Sequence, residues 1–261
     1  MRKILTSAPP SLLVGPFALV LMSLLWPAET LAGGGTRVVV TDLDGAGWGF
    51  VEEVPNGTGG FEGGPAGVPL GTGGISLSVD PTGRMFFATA DLAGTRLADI
   101  TSLEYSTYRT LPATGVVTVS LQFNIDYDLT DADTSWQGRL VFEPYYTETV
   151  SSGAWQTWDP MAGVWWGSGA PGSGPCPISN PCSWSGVLSN FPEAGVQAGQ
   201  LSGVLFKAGG PWEDGFFGFV DGLSIGIQGA ETVYDFETGL IFADGFESGD
   251  FTAWNSSVPS P

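Results

Sequence analysis

The chain has 261 residues, with 27 Asp and Glu against eight Lys and Arg, no His, and a formal net charge of −19. A surface this acidic repels phosphate groups, so nucleic acid and anionic membranes are excluded as expected partners. The lack of His also excludes catalytic triads and metal centres that depend on it.

The N-terminus is typical of a secretory signal peptide. Arg2 and Lys3 precede an apolar run, Leu12–Trp26, and Thr30-Leu31-Ala32 offers small residues where a signal peptidase cleaves. An uncleaved anchor is the alternative, but about fifteen apolar residues are fewer than the roughly twenty that a spanning helix needs. We therefore predict a signal peptide over residues 1–32, no membrane span in the mature chain, and an exported protein, periplasmic or extracellular.

Alternating apolar and polar residues predict a β-sandwich. The clearest run begins at Val117 and ends at Tyr127, with one apolar and one polar face. One-sided strands favour antiparallel pairing, so we predict an all-β, antiparallel two-sheet sandwich of jelly-roll type. Asn56–Gly74 and Gly167–Pro181, rich in Gly and Pro, are predicted to be long loops. The other predicted strands are Thr36–Thr41, Gly47–Glu52, Ile75–Val79, Arg84–Ala90, Ile100–Tyr108, Gly138–Glu148, Ala154–Trp158, Leu201–Lys207, Phe216–Ile227, Thr232–Phe236 and Leu240–Phe246.

An acidic segment follows the Val117–Tyr127 strand. Asp126, Asp128, Asp131 and Asp133 fall within eight residues. Calcium prefers several oxygen ligands on a loop that can wrap around it, so these residues form a candidate calcium site. The alternative is a solvated acidic loop that binds nothing.

Aromatic residues are concentrated in the middle of the chain. Adjacent residues of a strand face opposite ways, so Trp165 and Trp166 cannot both enter a one-sided core, and Trp155 and Trp158 also differ in parity. Flat aromatic surfaces suit sugar rings, while burial in a minor core is the alternative. The candidate glycan-binding residues are Tyr145, Tyr146, Trp155, Trp158, Trp165 and Trp166.

Cys176 and Cys182 are predicted to form a local disulfide, because export leads to an oxidising compartment. A metal pair would need further thiols or His. The apolar spacing that starts at Trp184 predicts one short helix, with Ser183 as its N-cap and Pro192 ending it.

Asp221 shares the parity of the apolar residues in Phe216–Ile227. We favour a turn or bulge at Asp221-Gly222 that places this carboxylate at the surface. The alternative is a buried carboxylate held by backbone amides or a structural cation.

Several segments resemble a group of exported bacterial β-sandwich proteins similar to jelly-roll carbohydrate-binding modules and concanavalin-like domains. The segments that carry the resemblance are Ile100–Tyr108, Trp136–Tyr145, Gly153–Asp159 and Val220–Gly226. The end, Asp244–Trp254, resembles a C-terminal tail of many exported bacterial proteins. We expect a sandwich domain over 33–238 and a C-terminal strand and tail over 239–261.

We expect an exported, non-catalytic protein that binds a polysaccharide or cell-surface glycan, with calcium as a structural ion in the Asp126–Asp133 loop. The resemblance supports the glycan-binding part of this expectation, by analogy of fold. One alternative is a glycoside hydrolase or lyase that uses Glu104 and Glu143 as its paired carboxylates. A second alternative is a structural matrix or adhesion protein without a small ligand.

Overall fold

The structure is a computed structural model that describes residues 29–30, 35–42, 45–110, 115–198, 203–210, 212 and 214–239. The predicted signal peptide apart from residues 29–30, the predicted Leu240–Phe246 strand and the C-terminal tail lie outside the described residues. Within the described part of the chain, no helix is long and apolar enough to span a membrane.

The described residues form sixteen strands and one α-helix. The strands are β1 Glu29–Thr30, β2 Thr36–Thr41, β3 Trp48–Val54, β4 Gly57–Gly63, β5 Gly73–Val79, β6 Arg84–Thr89, β7 Ile100–Arg109, β8 Ser120–Asp126, β9 Arg139–Phe142, β10 Trp155–Trp158, β11 Val164–Gly167, β12 Cys182–Ser183, β13 Gly195–Val196, β14 Val204–Gly209, β15 Phe216–Ile227 and β16 Ala230–Glu237, and the helix α1 is Trp184–Asn190.

These strands build two eight-stranded sheets. Sheet I has the order β1-β2-β16-β15-β5-β4, with β7 on the free side of β15 and β10 beside β7. Sheet II has the order β12-β11-β9-β8-β14-β6-β3, and β13 adds to β8. All described pairings are antiparallel except that of β2 with β16, which is parallel. The predicted all-β sandwich fold is therefore confirmed.

The core lies between the two sheets and is rich in aromatic rings. Trp48 of sheet II stacks on Phe87 and meets Phe236 of sheet I edge-on, with ring centroids 5.2 Å apart. Tyr105 of sheet I packs on Phe206 of sheet II in the same layer. Interdigitated aromatic pairs of this kind bury much apolar area and hold the two sheets in register.

Two segments differ from the sequence prediction. The loop predicted for Asn56–Gly74 contains strand β4, which pairs along its length with β5. Its glycines carry no apolar alternation, yet they allow close packing, since a Cβ on Gly59 would lie 2.5 Å from the Phe50 ring. The strand predicted for Gly138–Glu148 ends at Phe142, because Pro144 lacks a backbone N–H and starts a 3₁₀ turn.

Four further short strands, β1, β11, β12 and β13, were not predicted. Strand β11 falls in a stretch dominated by Gly and Trp, where alternation is too short to detect. It pairs with β9 on one side and with β12 on the other, and thus extends sheet II.

The predicted helix and disulfide are both present. The Ser183 side chain accepts a hydrogen bond from the Gly186 backbone N–H, which caps α1. Cys176 and Cys182 are joined, and the loop they close lies against the start of the helix.

Asp221 lies at a bulge, as predicted, but the expected surface position is wrong. The side chain has no exposed area, and it accepts hydrogen bonds from the backbone N–H groups of Leu70 and Phe236, at 3.0 and 3.1 Å. At this point β15 changes its neighbour from β5 to β16, so regular ladder bonds are interrupted. The carboxylate replaces those bonds, which matches the alternative of a carboxylate held by backbone amides.

Candidate ligand-binding groove on sheet II

A groove lies on the face of sheet II that points away from sheet I. Strand register places Gln122, Val141 and Trp166 side by side across β8, β9 and β11. The floor continues as a small apolar cluster, separate from the main core, of Val51, Phe86, Ala88 and Leu205. We call the cavity above this face the sheet II groove; its volume is about 200 Å³ and it is lined by Arg84, Ser120, Gln122, Arg139, Val141, Glu143, Trp166, Ser168, Lys207, Gly209, Gly210 and Trp212.

Trp166 is the partly exposed ring at the centre of this surface. Its indole N–H donates to Glu143 Oε2 at 3.3 Å, and the Tyr145 hydroxyl donates to the same oxygen at 2.8 Å. Burial raises the pKa of Glu143, although these two hydrogen bonds oppose the shift. The ring is therefore held in one orientation by a carboxylate that itself lines the groove.

Two other indoles lie near the groove. Trp212 is among the lining residues, but it is buried as part of the main core and packs edge-on against Phe216, with ring centroids 5.1 Å apart. Trp136 is 62% exposed, and its N–H lies 3.5 Å from Oδ1 of Asn124, the side chain that also accepts from Arg139 Nε. Neither ring was among the predicted binding residues, because neither stands in a segment with clear periodicity.

Basic side chains line the other wall of the groove. Arg139 and Lys207 both form ion pairs with Glu53, and the Arg139 guanidinium lies over the Phe86 ring at 5.4 Å from its centroid. Burial raises the pKa of Glu53, but the hydrogen bonds from Lys207 and Arg139 outweigh it and lower the pKa overall. The arrangement places fixed donors of both kinds, guanidinium and ammonium, beside the Trp166 ring.

The structure separates the six predicted aromatic residues. Trp158 and Trp165 are buried in the core, where their N–H groups donate to Thr107 and Pro160. The other member of each pair points outward. These residues are Trp155 and Trp166, and they lie on opposite sheets. Trp155 is half-buried on sheet I, where its N–H donates to the Pro65 carbonyl.

Tyr145 and Tyr146 lie in the 3₁₀ turn that follows β9. Their rings are 4.5 Å apart, and the hydrogen bond from Tyr145 to Glu143 brings this pair to the edge of the sheet II groove. The Tyr146 hydroxyl donates to the carbonyl of Ile178 in the disulfide loop. Of the predicted set, Trp166 lines the groove, Tyr145 contacts it through Glu143, and Tyr146 packs on Tyr145 outside the lining.

Glu104 and Glu143 do not come together. Glu143 lines the sheet II groove, whereas Glu104 lines a wider cavity of about 650 Å³ on the outer face of sheet I. A glycosidase needs its two carboxylates about 5–10 Å apart across one cleft, and these two stand on opposite faces of the sandwich.

The sheet I cavity is the larger of the two, but its chemistry is less suited to a sugar. Within the described residues, its lining has no aromatic ring and combines Ser and Thr hydroxyls with Glu104, Asp159, Glu231 and Arg37. We therefore place the candidate site in the smaller groove, where rings and charged donors meet.

The four acidic residues of the candidate calcium loop bind the backbone of their own loop. Asp126, Asp128, Asp131 and Asp133 each accept a hydrogen bond from the backbone N–H two residues further on. Within the described part of the chain, no three His, Cys, Asp or Glu side chains are grouped as metal ligands. Calcium binding by this loop stays a prediction.

Two solved structures similar to this chain are family 11 carbohydrate-binding modules of Clostridium thermocellum. One belongs to the cellulosomal cellulase Lic26A-Cel5E; it is 10% identical, with a TM-score of 0.39, over 75% of this chain and 91% of that chain. The other is in complex with a β-1,3-1,4-mixed-linked tetrasaccharide; it is 10% identical, with a TM-score of 0.38, over 74% of this chain and 91% of that chain. No protein-family model and no curated protein matches the sequence. Likenesses this distant decide nothing about the ligand.

The small number of basic residues in the sequence could have pointed to the basic wall of the groove. Arg2 and Lys3 lie in the predicted signal peptide, so only six of the eight Lys and Arg residues remain for the mature chain. Each of those six is therefore a position to inspect. What the sequence did not show is that Arg84, Arg139 and Lys207, from three different strands, meet on one face.

Proposed function

We propose that this chain is an exported, non-catalytic glycan-binding protein and that the glycan occupies the sheet II groove. The observation that carries the proposal is the outward-facing Trp166 ring, fixed by Glu143 and bordered by charged and amide side chains in one cavity. A structural matrix or adhesion role would need neither a groove nor a positioned ring.

The chemistry of the groove suits a sugar ring. A pyranose has apolar C–H faces and a rim of hydroxyls, so it stacks on an indole while its rim makes hydrogen bonds. Gln122 and Arg139 offer donors for that rim, and Glu143 offers acceptors. Within the described residues, Glu143 Oε1 has no hydrogen-bond partner, so a sugar hydroxyl could donate to it without displacing Trp166 or Tyr145.

The groove is also built in advance. Trp166 is anchored through its N–H, Gln122 donates to Ser120 Oγ at 2.8 Å, and Arg139 is held by Asn124 and Glu53. Side chains that are already fixed lose little conformational entropy when a ligand binds. Binding at this site should therefore proceed without a large rearrangement of the sheet.

The test is binding of the full chain to an array of polysaccharides, followed by affinity measurement on the best ligand. Trp166→Ala removes the stacking surface and should weaken binding by about tenfold or more, which corresponds to roughly 1.4 kcal/mol. The matched control is Phe217→Ala, an aromatic side chain that is 41% exposed on sheet I, and it should leave the affinity unchanged.

Equal loss in both variants would contradict the assignment of the groove, and no binding to any glycan would contradict the proposed function. Export is tested separately, by fractionating cells that express the full chain and sequencing the N-terminus of the recovered protein. The disulfide supports export, since such bonds persist in oxidising compartments.

A further inference from the structure

The few basic residues of this acidic chain are unevenly distributed. The chain has eight Lys and Arg against 27 Asp and Glu. Three of the basic residues, Arg84, Arg139 and Lys207, line the sheet II groove. Scattered placement would be the default for so few charges, so their meeting in one cavity needs an explanation.

The other described basic residues have structural partners. Arg37 pairs with the buried carboxylate of Asp235, and Arg96 pairs with Glu193 on the surface. Arg109 is buried and donates to the Gly115 carbonyl. These three side chains therefore already have partners within the protein.

The groove, in contrast, has more positive than negative charge. Arg139 and Lys207 share a single carboxylate, that of Glu53. Arg84 is exposed, and no carboxylate pairs with it in the part of the chain that the structure describes. Glu143 is the one acidic residue among the described lining residues; it is half-buried and already accepts two hydrogen bonds.

Like charges held this close repel one another. Lys207 shows the effect, because burial lowers its pKa and the neighbouring Arg139 and Arg84 lower it further, while Glu53 opposes the shift. An anionic group between these side chains would remove that repulsion. Arginine is well suited to the purpose, since its planar guanidinium binds carboxylate and sulfate oxygens through two parallel hydrogen bonds.

We propose that the ligand of the sheet II groove is an anionic polysaccharide, whose carboxylate or sulfate groups bind Arg84, Arg139 and Lys207 while a sugar ring stacks on Trp166. This inference depends on the proposed glycan-binding function of the groove. It goes beyond that function because it names the class of sugar, either a uronate or a sulfated residue.

The negative charge of the rest of the chain does not oppose such binding at short range. At physiological salt, charge–charge interactions across water are screened beyond about 8 Å, so the contacts inside the groove decide the affinity. The outer surface would repel the flanking parts of a long polyanion, which favours recognition of short segments.

The experiment is titration calorimetry of the full chain with matched oligosaccharides. Oligogalacturonate and sulfated galactan oligosaccharides supply the carboxylate and the sulfate, neutral galactan oligosaccharides supply neither, and a short single-stranded DNA serves as a non-sugar anion. At least one anionic sugar should bind about tenfold or more tightly than the neutral one, as expected for a charged hydrogen bond. Whichever anionic sugar binds identifies the group.

Two substitutions make the test specific. Arg84→Gln should weaken binding of the anionic sugar by about tenfold and leave the melting temperature unchanged, because the side chain is exposed. Arg96→Gln is the matched control, since its ion pair with Glu193 lies outside the groove, and it should bind like the wild type.

The outcomes separate the two levels of the proposal. Equal affinity for neutral and anionic sugars, or no effect of Arg84→Gln, would overturn the anionic ligand and leave glycan binding intact. DNA bound as tightly as the sugars would also overturn it, because the groove would then recognise charge alone. No binding to any sugar would overturn both inferences.

Discussion

The buried carboxylate of Asp221 should make the protein less stable as the pH rises. Burial raises the pKa of Asp221 from 3.8 to about 7, although hydrogen bonds from the backbone of Phe236 and Leu70 oppose the shift. In the unfolded chain the group ionises near its usual value. Between these two pKa values the folded protein holds one more proton than the unfolded chain. The contribution of Asp221 to stability is therefore fully present below pH 3.8 and is lost as the pH rises through 7.

The size of the effect follows from the two pKa values. A single group with these constants changes the free energy of unfolding by roughly 2.5 kcal/mol between pH 5 and pH 8. For comparison, a whole domain is stable by about 5–15 kcal/mol, so the loss should be measurable.

The assay is urea unfolding followed by Trp fluorescence from pH 5 to pH 8, on the wild type and on Asp221→Asn. The Asn variant cannot ionise, so its free energy of unfolding should depend less steeply on pH, by roughly the same 2.5 kcal/mol over this range. Asp80→Asn is the control; hydrogen bonds from Thr82 lower the pKa of exposed Asp80, so its titration is complete below pH 5.

Identical pH dependence in the wild type and Asp221→Asn would refute this reasoning. A direct reading is available from the carboxyl ¹³C resonance of Asp221, which should titrate near pH 7. If the resonance titrates near pH 4 instead, the hydrogen bonds from Phe236 and Leu70 outweigh the cost of burial.

Two further predictions concern the loops. Replacing Cys176 and Cys182 by Ser should lower the free energy of unfolding by about 2 kcal/mol, the size expected when a disulfide closes so short a loop. Urea unfolding of the variant and the wild type without reductant measures this difference. Equal free energies of unfolding for this variant and the wild type at the same pH would contradict this prediction. If the loop Asp126–Asp133 binds calcium, a chelator should lower the melting temperature of the wild type. In Asp128→Asn the chelator should have no such effect. An unchanged melting temperature of the wild type would contradict the calcium prediction.

Local patterns were enough for much of the fold. Strand β8 lies within the alternating Val117–Tyr127 run, and β15 has the predicted bounds. The opposite orientations of Trp165 and Trp166 also follow from strand geometry alone. Each of these features depends on residues that are neighbours in the sequence.

Strand β4 and the position of Asp221 could not be predicted in this way. Gly has no side chain to show a pattern, so β4 is defined only by its partner β5. Asp221 is stable inside the protein because backbone donors come from Leu70, 151 residues away in the chain, and from Phe236 on the following strand. The alternation in the sequence placed Asp221 on the apolar face of its strand, but it could not show which backbone groups would donate hydrogen bonds to the carboxylate.

The sequence by itself determined that the chain is an acidic, all-β protein with a disulfide and one capped helix, because these properties depend on composition and local spacing. Only the tertiary structure decided which residues share a face. The sheet II groove joins Trp166 of β11, Arg139 of β9, Lys207 of β14 and Arg84 of β6. The order of strands in a sheet is set by long-range packing, so neither the groove nor its excess of positive charge is visible in any single segment.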